Sequence, residues 1–142
     1  MRAWLAFMRA HLAMSRAMER DSEAQGRLAV SEHSLLATLD GGPAEGMRPT
    51  ELAEIFALTK SGLTRALDRL EAEHLIERRT CPSDGRGWLV GITALGRRAL
   101  KRAAPGHFRA IAKYFADHLT DRDVNALADA LERVAAGAGR GT

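Results

Sequence analysis

Apolar residues recur along this chain with two periods, one helical and one extended. Leu5, Met8, Leu12 and Ala13 are spaced as one helix face, which predicts a first helix over residues 3 to about 20. A polar stretch containing Gly26 follows. Leu35, Leu36 and Leu39 share a face, so Ser31–Leu39 is expected to be a second helix with Ser31 as its N-cap. "DGGPAEG", residues 40–46, is a loop by composition. Thr50 is expected to cap a short helix bearing Leu52, Ala53, Ile55 and Phe56, with Glu51 and Glu54 in the first turn, where the helix dipole favours anions. Thr59 is a second cap for a helix over residues 60–73. Leu63, Ala66, Leu67 and Leu70 form its apolar stripe, opposite Ser61, Thr64, Arg65, Asp68 and Arg69.

Only "ALT" separates these two helices, which makes them a helix-turn-helix. The apolar period then falls to two. "LIERRT" reads as a strand, "CPSDGRG" as a turn, and "WLVGIT" as a second strand with Trp88, Val90 and Ile92 on one face. Thr93 is expected to cap a helix over about 94–118, which Pro105 and Gly106 should kink or break. Thr120 with Asp123 three residues on resembles a capping box. Val124, Leu127, Ala128, Leu131 and Val134 then form an apolar stripe, and the tail "GAGRGT" is expected to fray.

Composition narrows the class. The 142 residues suit one domain, and 46% apolar with 27% charged residues is ordinary for a soluble globular protein. No run approaches the roughly 20 apolar residues that cross a bilayer. "AWLAFM" near the start is cut short by Arg9 and His11, which argues against export. The single cysteine excludes an internal disulfide framework and fits a reducing cytosol, so a cytoplasmic location is expected. The net charge of +3 is unevenly spread: residues 59–102 hold 10 Lys/Arg against 5 Asp/Glu, the remainder 11 against 13. A concentrated basic segment suits a polyanion, although charge alone equally describes a solvated basic face. Of the 21 basic residues 18 are arginine, which suits bidentate contacts to phosphates and bases but also follows from a GC-rich genome.

A helix-turn-helix followed at once by a hairpin is a winged helix. Short polar Ser61 and Thr64 approach base edges in a major groove, Gly62 lets the backbone come close, and Arg65 and Arg69, one turn apart, reach phosphates or guanine. Arg86 at the hairpin tip suits the minor groove, with Asp84 holding its guanidinium and Gly85 and Gly87 letting the turn bend. No nucleophile–base motif such as G-x-S-x-G is present, so no enzyme is expected. The five histidines (His11, His33, His74, His107 and His118) form no ligand-spaced grouping, so neither a metal nor a cofactor is expected. Cys81, at the base of the wing, is a candidate redox thiol whose pKa Arg78, Arg79 and Arg86 would lower; the plain alternative is a packing residue. Trp4, Phe7, Met8, His11 and His33 are candidates to line an effector cavity, or simply core and dimer interface.

The stretch "LTKSGLTRALDRLEAEHLIERRTCPSDGRGWLVGITALGRRAL" closely resembles the DNA-binding core of the MarR (multiple antibiotic resistance regulator) family, over roughly residues 52–100. The combination is specific: "LTRALDRLE" as the helix, D-x-R in the wing, and T-x-x-G at the next helix start. The resemblance implies a mainly α (α+β) winged helix with about six helices and a hairpin wing. It implies one domain over 1–142, with a DNA-binding lobe at 31–100 and dimerisation helices at 1–25 and 101–136. Thr59, Lys60, Ser61, Gly62, Thr64, Arg65 and Arg69 would face DNA, with helix 60–73 in the major groove. Asp84 and Arg86 would be the wing pair, with 81–87 in the minor groove. It further implies a bacterial homodimer on a palindromic operator, most often a repressor. Small aromatic or anionic effectors, or oxidation of a cysteine, release many members from DNA.

Three departures stand out. His74 occupies a helix C′ position where the family usually has glycine, at a cost of about 1 kcal/mol for a left-handed conformation. The wing reads "DGRG" where "DRRG" is frequent, and Gly91 lies within a strand, where glycine weakens pairing. Together they suggest a softer wing. Two alternatives follow: a winged-helix dimer that serves as a protein-interaction module, and a redox or small-molecule sensor with weak DNA binding.

Overall fold

The computed structural model describes residues 1–25, 28–56, 58–80 and 87–138. In chain order the elements are α1 (Arg2–Ala24), α2 (Val30–Gly41), α3 (Pro49–Phe56), α4 (Lys60–Ala72), β1 (Ile76–Thr80), β2 (Trp88–Ile92), α5 (Ala94–Tyr114) and α6 (Asp121–Ala138), with a short 3-10 turn at Ala116–His118. This is the mainly helical winged-helix plan expected from the sequence. The chain divides into two compact units, Ser22–Pro105 and Met1–Asp21 with Gly106–Thr142.

The core of the first unit is built from the predicted stripes. Leu35, Leu36 and Leu39 of α2, Leu52 of α3, and Leu63, Leu67 and Leu70 of α4 are buried together with Leu75, Ile76, Val90 and Ile92. At roughly 25 cal/mol per Å² of apolar surface, these leucines and isoleucines are the main reason the lobe folds. The hairpin is antiparallel, running from Ile76 opposite Ile92 to Thr80 opposite Trp88. Met47, just after the loop expected at 40–46, pairs with the other edge of β2 through N–H···O bonds of 3.0 and 2.8 Å with Val90. A single paired residue leaves no alternation in the sequence to detect.

Two helix starts differ from expectation. Ser31 and Thr50 lie inside the first turns of α2 and α3 and are exposed, not caps. The helices begin earlier because a carboxylate three residues on reaches back: Glu32 accepts from the Ala29 N–H at 3.0 Å, and Glu51 from the Arg48 N–H at 2.7 Å. Pro49 at the first position of α3 has no N–H to satisfy. Thr59 does cap α4, accepting from the Gly62 N–H at 3.2 Å. Thr120 and Asp123 form the expected box at α6: Asp123 accepts from the Thr120 N–H at 3.1 Å, and Thr120 from the Asp123 N–H at 3.3 Å.

α4 ends as the left-handed motif requires. His74 has φ of 58°, its N–H donates to Glu71 O at 2.8 Å, and Leu75 N–H donates to Leu70 O at 2.9 Å. α5 passes through Pro105 unbroken and ends at Tyr114, short of the expected 118. The lost hydrogen bond costs about 3 kcal/mol. It is outweighed by Leu95, Ala99 and Leu100, which pack on the core, and by the alanine-rich sequence around the proline.

The second unit is different. No residue of α6 is buried, and Val124, Leu131 and Val134 of its stripe are exposed, as are Trp4, Leu5, Phe7 and Leu12 of α1 and Phe108 of α5. Among the described residues, no helix is long and apolar enough to cross a membrane.

Candidate nucleic-acid interface

α4 buries Leu63, Leu67 and Leu70 and thereby turns Lys60, Ser61, Thr64, Arg65, Asp68 and Arg69 outward. Its first turn is organised by Thr59, whose Oγ1 accepts the Gly62 N–H and lies 3.4 Å from Ser61 Oγ. A Cβ at position 62 would stand 3.1 Å from Thr59 Oγ1, so Gly62 serves the cap as well as leaving the helix surface open. Thr64 Oγ1 donates to Lys60 O at 2.8 Å. With its proton so used, Thr64 offers outward an oxygen acceptor and a methyl group.

The two arginines differ. Among the described residues Arg65 has no carboxylate partner, whereas Arg69 Nε lies 2.9 Å from Glu32 Oε1. The Arg69 side chain is 61% exposed and that of Glu32 only 11%, so a largely buried carboxylate grips an outward-facing cation. The sequence pattern did not point to Glu32. Its signal, a carboxylate three residues after a helix start, was present but was overshadowed by Ser31.

Asp68, expected only as part of the outward polar face, ties the hairpin to the helix. Arg78 of β1 pairs with Asp68 and, at 3.1 Å, with Glu71, and its guanidinium lies 4.5 Å from the Trp88 ring centroid. Arg79 folds onto Glu77 and donates to Ala44 O at 3.1 Å. A Cβ on Gly91 would sit 3.1 Å from Arg79 Cζ. The glycine expected to weaken the strand is therefore the space in which Arg79 lies. Cys81, Asp84 and Arg86 lie outside the described residues.

The side of this lobe that carries the hairpin holds a cleft of about 390 Å³ lined by Arg48, Thr50, Lys60, Thr64, Gly87 and Trp88, among others. Thr93 and Gly96, the T-x-x-G of the sequence, lock the hairpin to α5. Thr93 Oγ1 accepts the Gly96 N–H at 2.9 Å and donates to His74 O at 2.7 Å.

The residues proposed for an effector pocket divide between the units. Trp4, Met8 and His11 lie on α1 in one, and buried His33 lies on α2 in the other. Along α1, Trp4 and Phe7, and Phe7 and His11, form ring pairs with centroids 6.2 Å apart. Within the lobe a separate cavity of about 390 Å³ is lined by Leu28, Glu32, Glu73, Leu75, Ala99, Arg102 and Ala103, none of them in that set. Among the described residues no group of three His, Cys, Asp or Glu is placed to hold a metal ion.

Asp123 and Lys113, both in the second unit, have displaced titrations. Hydrogen bonds from the Thr120 side chain and backbone hold the Asp123 carboxyl below its ordinary value. Tyr114 and then Asp21 hold the Lys113 ammonium above its own.

Known proteins share this arrangement. A family model described as "MarR family" matches residues 28–87. The chain is 30% identical over 124 residues to the HTH-type transcriptional repressor YetL of Bacillus subtilis, covering 85% of this chain and 74% of that one. Against a second B. subtilis regulator, 45% identical over 85 residues, it spans 57% of the relative's length. Sco3205, a MarR family transcriptional regulator from Streptomyces coelicolor solved in complex with DNA, superposes with a TM-score of 0.84 at 31% identity, covering 95% of this chain and 84% of that one. CouR from Rhodococcus jostii, solved bound to p-coumaroyl-CoA, gives 0.75 at 28% identity, covering 92% and 89%.

Proposed function

We propose a function from one premise: the chain belongs to the MarR family of transcriptional regulators. It is a sequence-specific DNA-binding regulator that works as a homodimer on a palindromic operator, and it represses. The observation that carries this reading is the outward face of α4. Lys60, Ser61, Thr64, Arg65 and Arg69 are exposed on one side of a helix whose other side is the core, and that helix is tied to the hairpin through Arg78. Thr59, Lys60, Ser61, Gly62, Thr64, Arg65 and Arg69 enter the major groove, and the wing with Asp84 and Arg86 enters the minor groove. The DNA complex of Sco3205 supports the binding mode, and the repressor YetL supports the sign of regulation.

Homodimerisation is supported by the apolar faces left exposed on α1 and α6; Trp4 at 59% and Val134 at 67% exposure are costly to leave in water. In this reading residues 1–25 and 101–136 dimerise and residues 31–100 bind DNA. A small aromatic or anionic effector is supported by the p-coumaroyl-CoA complex of CouR. Trp4, Met8 and His11 in one unit, or His33 in the other, are the candidates to meet it.

The test is selection of bound sites from a random duplex pool at two salt concentrations. A two-fold symmetric motif with half-sites about one helical turn apart, and affinity that falls steeply with salt, is the expected result. No enriched motif, with weak binding even at low salt, would refute it and favour a protein-interaction module.

A further inference from the structure

We propose that Glu32 of α2 is a positioning residue for DNA recognition: it holds Arg69 of α4 in the pose that reads DNA. The proposal rests on the reading of α4 as the recognition helix. One carboxylate performs two tasks. Its Oε2 accepts the Ala29 N–H at 3.0 Å and so starts α2, and its Oε1 lies 2.9 Å from Arg69 Nε in an ion pair. Because the Glu32 side chain is largely buried and anchored to the backbone, its position is fixed by α2. Arg69 Nε is therefore held against the protein as one half of an ion pair, while the Arg69 side chain stays 61% exposed to whatever binds the outer face of α4.

Arginine is a flexible side chain, and immobilising one at an interface opposes binding. A guanidinium already held by Glu32 has lost much of that freedom before DNA arrives. The opposing effect is electrostatic: a carboxylate beside a DNA-facing cation also repels phosphate. The two effects have opposite signs. If positioning dominates, loss of the Glu32–Arg69 bond weakens binding; if repulsion dominates, loss of the carboxylate's grip tightens it.

Glu32→Asp isolates the bond. In the same chain Asp123 shows that an aspartate three residues past a cap still reaches the cap N–H, at 3.1 Å. The start of α2 therefore survives in Glu32→Asp, and the negative charge is kept, but the shorter side chain falls short of Arg69. Equal thermal midpoints check that the fold is intact. The expected result is a roughly three- to tenfold weaker Kd for the selected operator, with no further change when Glu32→Asp is added to Arg69→Ala. Unchanged or tighter binding, or the same loss in both backgrounds, overturns the proposal. A second readout needs no DNA: the guanidinium protons of Arg69, paired with Glu32 in the wild type, exchange more slowly in 15N spectra than in Glu32→Asp. Equal protection in the two overturns it. A wild-type protein that binds no operator refutes the recognition-helix reading, while the exchange comparison still decides whether Glu32 holds Arg69.

Discussion

Gly96→Ala is a sharp test of how the hairpin is locked to α5. A Cβ there would lie 2.0 Å from Leu75 O, 2.8 Å from Ile92 Cγ1 and 3.0 Å from the Leu75 carbonyl carbon. A carbon normally approaches a carbonyl oxygen no closer than about 3.3 Å, so the backbone must move by more than roughly 1 Å. That carbonyl cannot yield freely. It accepts the Thr93 N–H at 3.0 Å and shares the Thr93 hydroxyl proton, at 3.1 Å, with His74 O at 2.7 Å, and the Leu75 N–H closes the α4 terminus. Overpacking costs about 1–3 kcal/mol, two loosened hydrogen bonds add about 1 kcal/mol each, and the better helix propensity of alanine returns under about 1 kcal/mol. The net loss is about 2–4 kcal/mol, read as a lower urea midpoint by circular dichroism and a fall in Tm of about 5–15 °C. Gly137, with nothing within 4 Å of its added Cβ, is the control, and its alanine variant should stay within about 0.5 kcal/mol of the wild type. A Gly96→Ala protein as stable as that control would refute the packing described for this junction.

His74→Gly should act in the opposite direction. Relief of the left-handed strain is worth about 1–2 kcal/mol, and the freer unfolded chain takes back about 0.4–1 kcal/mol, so the urea midpoint should rise modestly; a fall would mean that the imidazole itself holds something. The start of α6 should respond to acid. The folded-state pKa of Asp123 lies below its ordinary value, so its contribution is fully present above that value and is lost as pH falls through the folded one. Asp123→Asn should lower stability at neutral pH and converge on the wild type in acid; denaturation curves that stay parallel across that range would contradict the capping role.

The stripes on α2, α4 and α6 were legible because their apolar spacing follows directly from helix geometry, and Thr59 because its own side chain caps. The starts of α2 and α3 were not. There the capping group comes three residues later, as Glu32 and Glu51, while a serine or threonine nearby offers the more familiar signal. Pro105 misleads because its local breaking strength is visible in the sequence and the core packing of α5 is not. The Met47 bridge and the Arg79–Ala44 bond join residues far apart in sequence, 35 apart in the second case, and neither leaves a periodic trace. The wing residues Asp84 and Arg86 are legible only as a motif, and they lie outside the described residues.

Charge shows the same limit in a form that matters for function. Residues 59–102 carry ten basic side chains, yet Arg69, Arg78, Arg79 and Arg97 each pair with a carboxylate, from Glu32, Asp68 and Glu71, Glu77, and Asp40. A local excess counted from the sequence therefore overstates the field that DNA meets. On α4 the cations without a carboxylate partner among the described residues are Lys60 and Arg65. Counterion release depends on phosphates actually neutralised, with a slope of about −0.9 for each. Arg65→Ala should thus flatten the plot of log K against log salt by about 1 for each phosphate it leaves unneutralised. Arg79→Ala removes the same formal charge, but its guanidinium is spent on Glu77 and the Ala44 carbonyl, so the slope should be unchanged and only the thermal midpoint should fall. Equal slope changes in the two variants would show that DNA responds to the number of arginines in this segment rather than to where the fold points them.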